Sequence, residues 1–195
     1  MPVITDPYIQ FKQFISRDMT LDEERLNAFC KKFRHKTTKR NEVLLQAGDI
    51  CPYLYFVNSG CLRIYMLDIN GKEATRFLVT ENRFGTAFPS FILQEPSLAA
   101  IQSIEPSDVL YISHHDFNAL FEEFPEWEHS YRIGLQMDYI ASIKRIESLI
   151  TMDAKQRYQV LMQTNPTLIQ RLPSKIIADY LGISQETLSR LKSKK

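Results

Sequence analysis

The sequence lacks the features of several specialised classes of protein. Its three cysteines, Cys30, Cys51 and Cys61, are odd in number and widely spaced, which argues against a disulfide framework, and there is no Cys-x-x-Cys pair for zinc or redox chemistry. Six glycines and nine prolines in 195 residues are too few for a fibrous or low-complexity protein. No apolar run reaches the roughly 18 residues of a membrane helix. Because the start of the chain also lacks a basic-then-apolar signal pattern, we expect a cytoplasmic protein without membrane contact.

The usual signatures of enzymes and cofactor proteins are missing as well. The sequence has no P-loop, no GxGxxG motif and no nucleophile–base pair. His114 and His115 are adjacent, so they cannot both face one side of a strand as a cupin-like metal site requires. The thiolates do not cluster as an iron–sulfur centre needs, whereas a haem ligand stays open because one histidine suffices. We therefore expect no catalytic site, no metal site and no built-in cofactor, although a small-molecule effector is compatible with the sequence.

Charge is nearly balanced but unevenly distributed along the chain. The net charge is +1, yet residues 171–195 carry six basic and two acidic side chains, a net +4, and the remainder carries −3. Such an asymmetry indicates a basic end that meets an anionic partner. A solvated lysine-rich tail is the alternative.

Short apolar runs between turn residues predict an antiparallel β domain over residues 42–112. Runs rich in β-branched and aromatic residues cover 53–57, 61–67 and 74–79. Asn70-Gly71 separates two of them and is typical of a hairpin, because both residues tolerate positive φ. Further turns are predicted at Gly48, Gly60 and Gly85. The pattern is that of a compact sandwich or barrel.

Helical periodicity flanks the β segment. Thr20 is the expected N-cap of a helix over Leu21–Phe33, and Ser113 that of a short helix ending near Phe121. A long helix, about 36 Å in length, is predicted from Trp127 to Ile150. One apolar stripe of this helix holds Tyr131, Leu135, Tyr139, Ser142, Ile143, Ile146, Leu149 and Ile150, and a narrower stripe holds Ile133, Met137 and Ile140.

Two stripes require two partners. We expect one to be the β domain and the other to be the same helix of a second subunit. Coverage of both stripes within one chain is the alternative.

The most specific pattern lies in residues 174–191. It predicts a helix, a tight turn at Gly182 and a second helix capped by Ser184, with the small Ala178 where the helices cross. This is the arrangement of a helix-turn-helix, whose second helix enters the DNA major groove.

The second helix carries side chains that suit base reading. Leu188 and Leu191 are predicted to point inward. The outward set is Gln185, Glu186, Ser189, Arg190 and Ser193. The expected phosphate contacts are Thr187, Lys192, Lys194 and Lys195. An ordinary helical hairpin with a solvated polar face is the alternative.

A turn-rich β segment, a long helix and the run from Tyr180 to Arg190 together resemble the CRP/FNR family of bacterial transcription regulators, over nearly the whole chain. The resemblance implies an α+β fold: an N-terminal antiparallel, jelly-roll-like β-roll of the cyclic-nucleotide-binding type with flanking helices (1–124), a dimerisation helix (125–150) and a small helix-turn-helix domain (151–195). Glu186 and Arg190 match the family's base readers, and Ser189 matches the FNR-type variant. Gln185 stands where the cyclic-AMP receptor has an arginine.

The sequence departs from the family where cyclic AMP binds. The family places Gly-Glu and then Arg-Ser in this pocket, whereas here Gly85 is followed by Thr86, and Ser97-Leu98 aligns with Arg-Ser. Without the acid and the arginine, a cyclic nucleotide would lose its charge-assisted hydrogen bonds. The effector pocket is then expected at Gly85, Thr86, Ser97, Leu98 and Ser142. A cavity filled by Phe77, Phe84, Phe88 and Phe91 is the alternative.

The resemblance also implies a shortened DNA-binding domain, because the family's β wing and its preceding hairpin have no counterpart here. The sequence thus predicts a homodimeric, sequence-specific DNA-binding transcription regulator that does not respond to cyclic AMP. Double-stranded DNA and a second copy are the expected partners, and RNA polymerase is a candidate partner. The alternative is a signalling module whose helical end binds protein, which salt-sensitive DNA binding would distinguish.

Overall fold

The computed structural model describes residues 6–193. In chain order the elements are α1 (Ile9–Ile15), α2 (Glu23–Cys30), β1 (Arg34–Thr38), β2 (Val43–Leu45), β3 (Tyr53–Ser59), β4 (Leu62–Leu67), β5 (Glu73–Val79), β6 (Phe84–Gly85), α3 (Phe88–Leu93), β7 (Ala99–Ser103), β8 (Ser107–Ser113), α4 (His114–Glu123), α5 (Pro125–Thr151), α6 (Ala154–Thr164), α7 (Pro166–Arg171), α8 (Ser174–Leu181) and α9 (Gln185–Ser193).

The strands form two four-stranded sheets with the orders β1-β8-β3-β6 and β2-β7-β4-β5. In the first sheet β8 pairs antiparallel with both β1 and β3. Apart from the β4–β5 hairpin, neighbouring strands are not consecutive in sequence, so the sheets close by crossovers rather than as a simple meander. The predicted α+β architecture of an antiparallel β domain, flanking helices, a long helix and C-terminal helices is confirmed.

The residues divide into two compact units. The first contains residues up to Ile64 together with Leu78–Gly134, and the second contains Tyr65–Phe77 and the chain from Leu135 onwards. The division falls inside α5 and places the turn of the β4–β5 hairpin in the second unit. The domain boundaries drawn from the sequence, after residues 124 and 150, stay predictions.

An aromatic cluster forms the centre of the first unit. Phe11, on α1, lies with its ring centroid 4.5 Å from that of Phe33 and 4.8 Å from that of Phe56 on β3. Trp127, in the first turn of α5, lies 5.4 Å from Phe29 of α2. Phe11, Phe29, Phe33 and Phe56 are at most 1% exposed. Each such aromatic pair stabilises the fold by about 0.5–1.5 kcal/mol beyond the effect of the apolar area that it buries. The cluster therefore fixes three helices against the sheet.

Two local predictions were wrong. The helix expected from Leu21 begins instead at Glu23, because the Asp22 side chain accepts the Arg25 backbone N–H at 2.8 Å and replaces Thr20 as N-cap. Gly85 is in strand β6 and not in a turn. A Cβ at Gly85 would lie 2.5 Å from Val79 Cγ2, so close packing explains this glycine.

Other local predictions are confirmed. Ser113 caps α4, and Asn70-Gly71 forms the β4–β5 turn with Gly71 at a φ of 75°. The long helix α5 ends at Thr151, one residue after the predicted end at Ile150, and Asp153 caps α6 with a full capping box. Within residues 6–193, no helix combines the length and the hydropathy needed to cross a membrane.

Candidate nucleic-acid interface and ligand pocket

The C-terminal helices α8 and α9 form the helix-turn-helix that the sequence predicts. Gly182 ends α8 with a φ of 66°, and the Ile183 N–H donates to the Ala178 carbonyl at 3.0 Å, which closes a Schellman-type end. Ile177 and Leu188 have no exposed surface and pack in the core of this domain. The turn and the buried pair together fix the orientation of α9 relative to α8.

Helix α9 begins at a side-chain cap. The Ser184 hydroxyl accepts the Thr187 N–H at 3.2 Å, as expected for an N-cap serine. Since Leu188 is buried, the opposite face of α9 turns to solvent. The exposed residues on it are Gln185, Glu186, Ser189, Arg190 and Ser193.

Charge on this face is set up for hydrogen bonding to a partner. The pKa of Glu186 is lowered, first by the hydrogen bond from Ser184, then by the Glu186 backbone N–H and by the nearby Arg190. Glu186 is therefore an ionised acceptor. The Arg190 Nη2 donates to the Thr187 hydroxyl at 3.2 Å, which holds the guanidinium on the same side of the helix.

Of the three lysines predicted to contact phosphate, the structure describes Lys192. The Lys192 Nζ donates to the Ser174 hydroxyl at 3.0 Å, so its charge lies beside the first turn of α8. Lys194 and Lys195 fall outside the described residues. The DNA roles of Gln185, Glu186, Thr187, Ser189, Arg190 and these lysines stay predictions.

Two arginines that sequence reasoning missed anchor the end of α8. The Arg145 guanidinium of α5 lies 4.2 Å from the centre of the Tyr180 ring and donates to the Tyr180 carbonyl. Arg157 of α6 donates to the Leu181 carbonyl at 2.9 Å and to the Met152 carbonyl at 2.5 Å. These bonds satisfy carbonyls that a helix end leaves without partners.

Arginine in a helix is normally a surface residue, so the pattern gave no signal for the anchoring role. Burial lowers the pKa of Arg145.

The second half of α5 presents an apolar stripe to solvent. Tyr139, Ile143, Ile146 and Ile150 follow each other at spacings of four, three and four residues and are 67%, 37%, 52% and 77% exposed. This spacing is that of a coiled-coil seam. Ser142, predicted in the effector pocket, donates its hydroxyl to the Asp138 carbonyl of the same helix at 2.9 Å.

The other predicted pocket residues lie in the first unit and are uncharged. The Thr86 hydroxyl donates to the Tyr53 carbonyl at 2.8 Å and contacts Cys51 Sγ at 3.2 Å. The Ser97 hydroxyl donates to the Ala99 carbonyl at 2.8 Å. Leu98 is 80% exposed. The hydroxyl groups of Thr86 and Ser97 are thus satisfied by the protein itself.

Three tyrosines form a cluster on the adjacent strands β3 and β8, and one of them lies opposite Gly85 of β6. Tyr55 pairs with both Gly85 and Tyr111 across the sheet, and the Tyr53 ring lies 4.9 Å from that of Tyr111. Tyr55 is 3% exposed, and burial raises the pKa of its phenol. Sequence reasoning missed this cluster, because alternating tyrosines in a strand are equally compatible with either face.

The phenylalanines proposed to fill the cavity have different surroundings. Phe91 is buried and packs on Phe117 at 5.3 Å, and Phe84 belongs to the aromatic cluster, 5.2 Å from Phe56. Phe88 is 39% exposed, and Phe77 lies in the second unit. In the described part of the chain, no group of three or more His, Cys, Asp and Glu side chains is placed to hold a metal ion.

Comparison with known proteins assigns the class of the first domain. Residues 35–124 match the family described as the cyclic nucleotide-binding domain. No curated protein matches the sequence.

Solved structures extend the likeness over most of the chain. A CooA variant from Carboxydothermus hydrogenoformans is 24% identical, with a TM-score of 0.67 over 90% of this chain and 84% of that one. FixK2 from Bradyrhizobium japonicum is 16% identical, with a TM-score of 0.69 over 83% of each chain. CLP from Xanthomonas campestris is 17% identical, with a TM-score of 0.68 over 89% of this chain and 91% of that one.

Residues 35–124 therefore resemble a cyclic nucleotide-binding domain. The chain as a whole has the fold of the CRP/FNR regulators, as the motif at its C-terminal end indicated.

Proposed function

We propose that this protein is a homodimeric, sequence-specific DNA-binding transcription regulator of the CRP/FNR type. The observation that carries the proposal is the exposed face of α9, where an ionised carboxylate and a guanidinium stand outward on a helix whose other face is fixed by Leu188. Arginine pairs with guanine in the major groove, and glutamate accepts from cytosine. DNA binding also implies a cytoplasmic protein.

The apolar stripe of α5 supports the dimer. Its seam spacing suits the same helix of a second copy, and a paired helix would cover side chains that water now surrounds. A symmetric dimer presents two copies of α9 to successive major grooves about 34–36 Å apart, on a near-palindromic site.

The signal that the β domain senses is proposed to differ from cyclic AMP. Gly85, Thr86, Ser97 and Leu98 offer no cation to a cyclic phosphate. The two hydroxyl groups among them already have protein partners. An uncharged ligand, or none, fits this lining. The fold is used with other signals elsewhere, since CLP is described as responsive to c-di-GMP.

Selection from a random duplex pool, followed by binding measurements with Arg190→Ala, tests the proposal. We expect an enriched, near-palindromic site. Arg190→Ala should cost about 1–3 kcal/mol on that site and remove discrimination at one base pair per half-site.

Lys192→Ala is the matched comparison on the same helix. It is expected to weaken specific and random duplexes equally and to flatten the salt dependence.

The outcome that refutes base reading is an equal loss on both duplexes for Arg190→Ala. If no duplex is enriched and any residual DNA binding is independent of salt, DNA binding is refuted and the alternative, a helical end that binds protein, is favoured. If a duplex is enriched, run-off transcription from the selected site tests RNA polymerase as a partner.

A further inference from the structure

The β4–β5 hairpin contacts the helix-turn-helix domain. Residues Tyr65–Phe77, which include the hairpin turn, belong to the same compact unit as α8 and α9. The two strands that carry this turn are also the last two strands of the sheet β2-β7-β4-β5. The hairpin is therefore continuous with the sheet and in contact with the helix-turn-helix domain, which is called the reader domain below.

The contact is centred on Asp179 of α8. Its Oδ2 accepts the Thr75 backbone N–H at 2.8 Å and the Thr75 hydroxyl as well. Thr75 is buried, at 6% exposure. Hydrogen bonds to an ionised carboxylate in such a setting are about twice as strong as neutral ones. One carboxylate therefore ties both the backbone and the side chain of β5 to α8.

A second, weaker contact lies one turn away on the same face of α8. Lys175 Nζ is 3.9 Å from Glu73 Oε2, and 70% of the Lys175 side chain is exposed, so this pair adds little stability by itself. Its effect is on charge, because an acidic side chain stands beside a base at the start of α8. In a helix-turn-helix bound to DNA, the first helix crosses the phosphate backbone.

We propose that the hairpin is an autoinhibitory latch on the reader domain. Bound to Asp179, it occupies the face of α8 that carries Lys175 and supplies a carboxylate that competes with DNA phosphates for that lysine. Release of the hairpin frees α8 for the backbone of the duplex. The latch rests on the DNA-binding function proposed above.

The latch gives the sheet a direct connection to the reader. A ligand or contact that moves β4 and β5 changes the stability of the docked hairpin. By thermodynamic linkage, DNA that displaces the hairpin in turn favours the moved position of these strands. This connection runs through the hairpin and is separate from the long helix α5.

Amide hydrogen exchange on the full-length protein tests whether the contact exists in solution. Asp179→Ala removes the acceptor and suits a helix, and Thr75→Val removes only the hydroxyl. Protection of the Thr75 amide is expected to fall about tenfold or more in Asp179→Ala. Thr164→Val loses a bond to the Val160 carbonyl in its own helix and one from the neighbouring Asn165 side chain; it is the control and should change nothing at the hairpin. Unchanged protection at Thr75 in Asp179→Ala overturns the proposal.

Affinity for the selected duplex tests the inhibition. Both Thr75→Val and Asp179→Ala should raise affinity by about threefold or more, within what one charge-assisted hydrogen bond supports. Because Thr75→Val does not alter charge, it separates the latch from simple loss of an acidic group. A gain in Asp179→Ala alone, with Thr75→Val equal to Thr164→Val, overturns the latch.

The same measurements separate the latch from the proposed function. If the parent protein binds DNA and both variants bind it with the same affinity as the parent, the latch fails and the DNA-binding function stands. If the parent binds no duplex and the variants do, the latch is supported in its strongest form. If neither the parent nor any variant binds a duplex, the DNA-binding function fails and the inhibitory role fails with it, even where exchange detects the contact.

Discussion

Single side chains hold the C-terminal domain together at points where the backbone has unmet hydrogen bonds. Arg145 and Arg157 donate to the last carbonyls of α8, just before the left-handed Gly182. The Asp179 carboxylate accepts a backbone N–H of β5. Each of these charged groups is paired with backbone, which makes it tolerable in a partly buried place.

The cysteines illustrate how burial sets reactivity at the residue scale. Burial raises the pKa of the Cys30 thiol to about 12, and Cys51 and Cys61 have no exposed surface. Since the thiolate is the reactive form, Cys30 stays protonated and unreactive at pH 8. We expect iodoacetamide to label all three thiols slowly in the native protein and rapidly in denaturant, followed by peptide mass spectrometry. Rapid stoichiometric labelling of native Cys30 would contradict this arrangement.

At the scale of elements, the two helix-associated glycines have opposite roles. Gly134 lies inside α5, and a Cβ there would meet nothing within 4 Å. Gly182 has a φ of 66°, and a Cβ there would lie 3.5 Å from Leu149. Only the second glycine is required by its backbone conformation.

This contrast gives a pair of substitutions that serve as each other's control. Gly134→Ala is expected to stabilise the protein by about 0.5–1 kcal/mol, because alanine is the better helix former. Gly182→Ala is expected to destabilise it by about 1–2 kcal/mol, because an L-residue is strained in the left-handed region. Denaturant unfolding of the full-length protein measures both. Equal effects of one sign would show that the turn is not as described.

Several elements followed from local chemistry alone. The serine caps of α4 and α9, the Asn70-Gly71 turn and the glycine end of α8 depend on residues within a few positions of each other. Helix α3 was not predicted, because its six residues lie among β-like runs and its apolar composition gives no period. The sequence favours Thr20 as the cap of α2 because Glu23 follows three residues later, whereas in the structure Asp22 caps the helix.

For the whole molecule, we expect dimerisation to depend on the exposed apolar stripe of α5. Ile146→Glu places a charge in the centre of this stripe and is expected to convert a dimer to a monomer, measured by light scattering after size exclusion. Lys144→Glu alters charge on the same helix outside the stripe and should leave the dimer intact. A monomeric parent protein, or a dimer that survives Ile146→Glu, would show that the subunits do not associate through this seam.

The sequence by itself determined the antiparallel β segment, the long helix and the helix-turn-helix motif. All three follow from hydrophobic period, caps and turns, which depend on residues close together in the chain. The tertiary structure alone decided which side chains meet: Asp179 with Thr75, 104 residues away, and Arg145 with Tyr180, 35 residues away. It also decided that the Thr86 and Ser97 hydroxyls donate hydrogen bonds to backbone carbonyls of the protein itself. Such pairings depend on how separate elements pack, and no local pattern encodes the distance between two residues that are far apart in the chain.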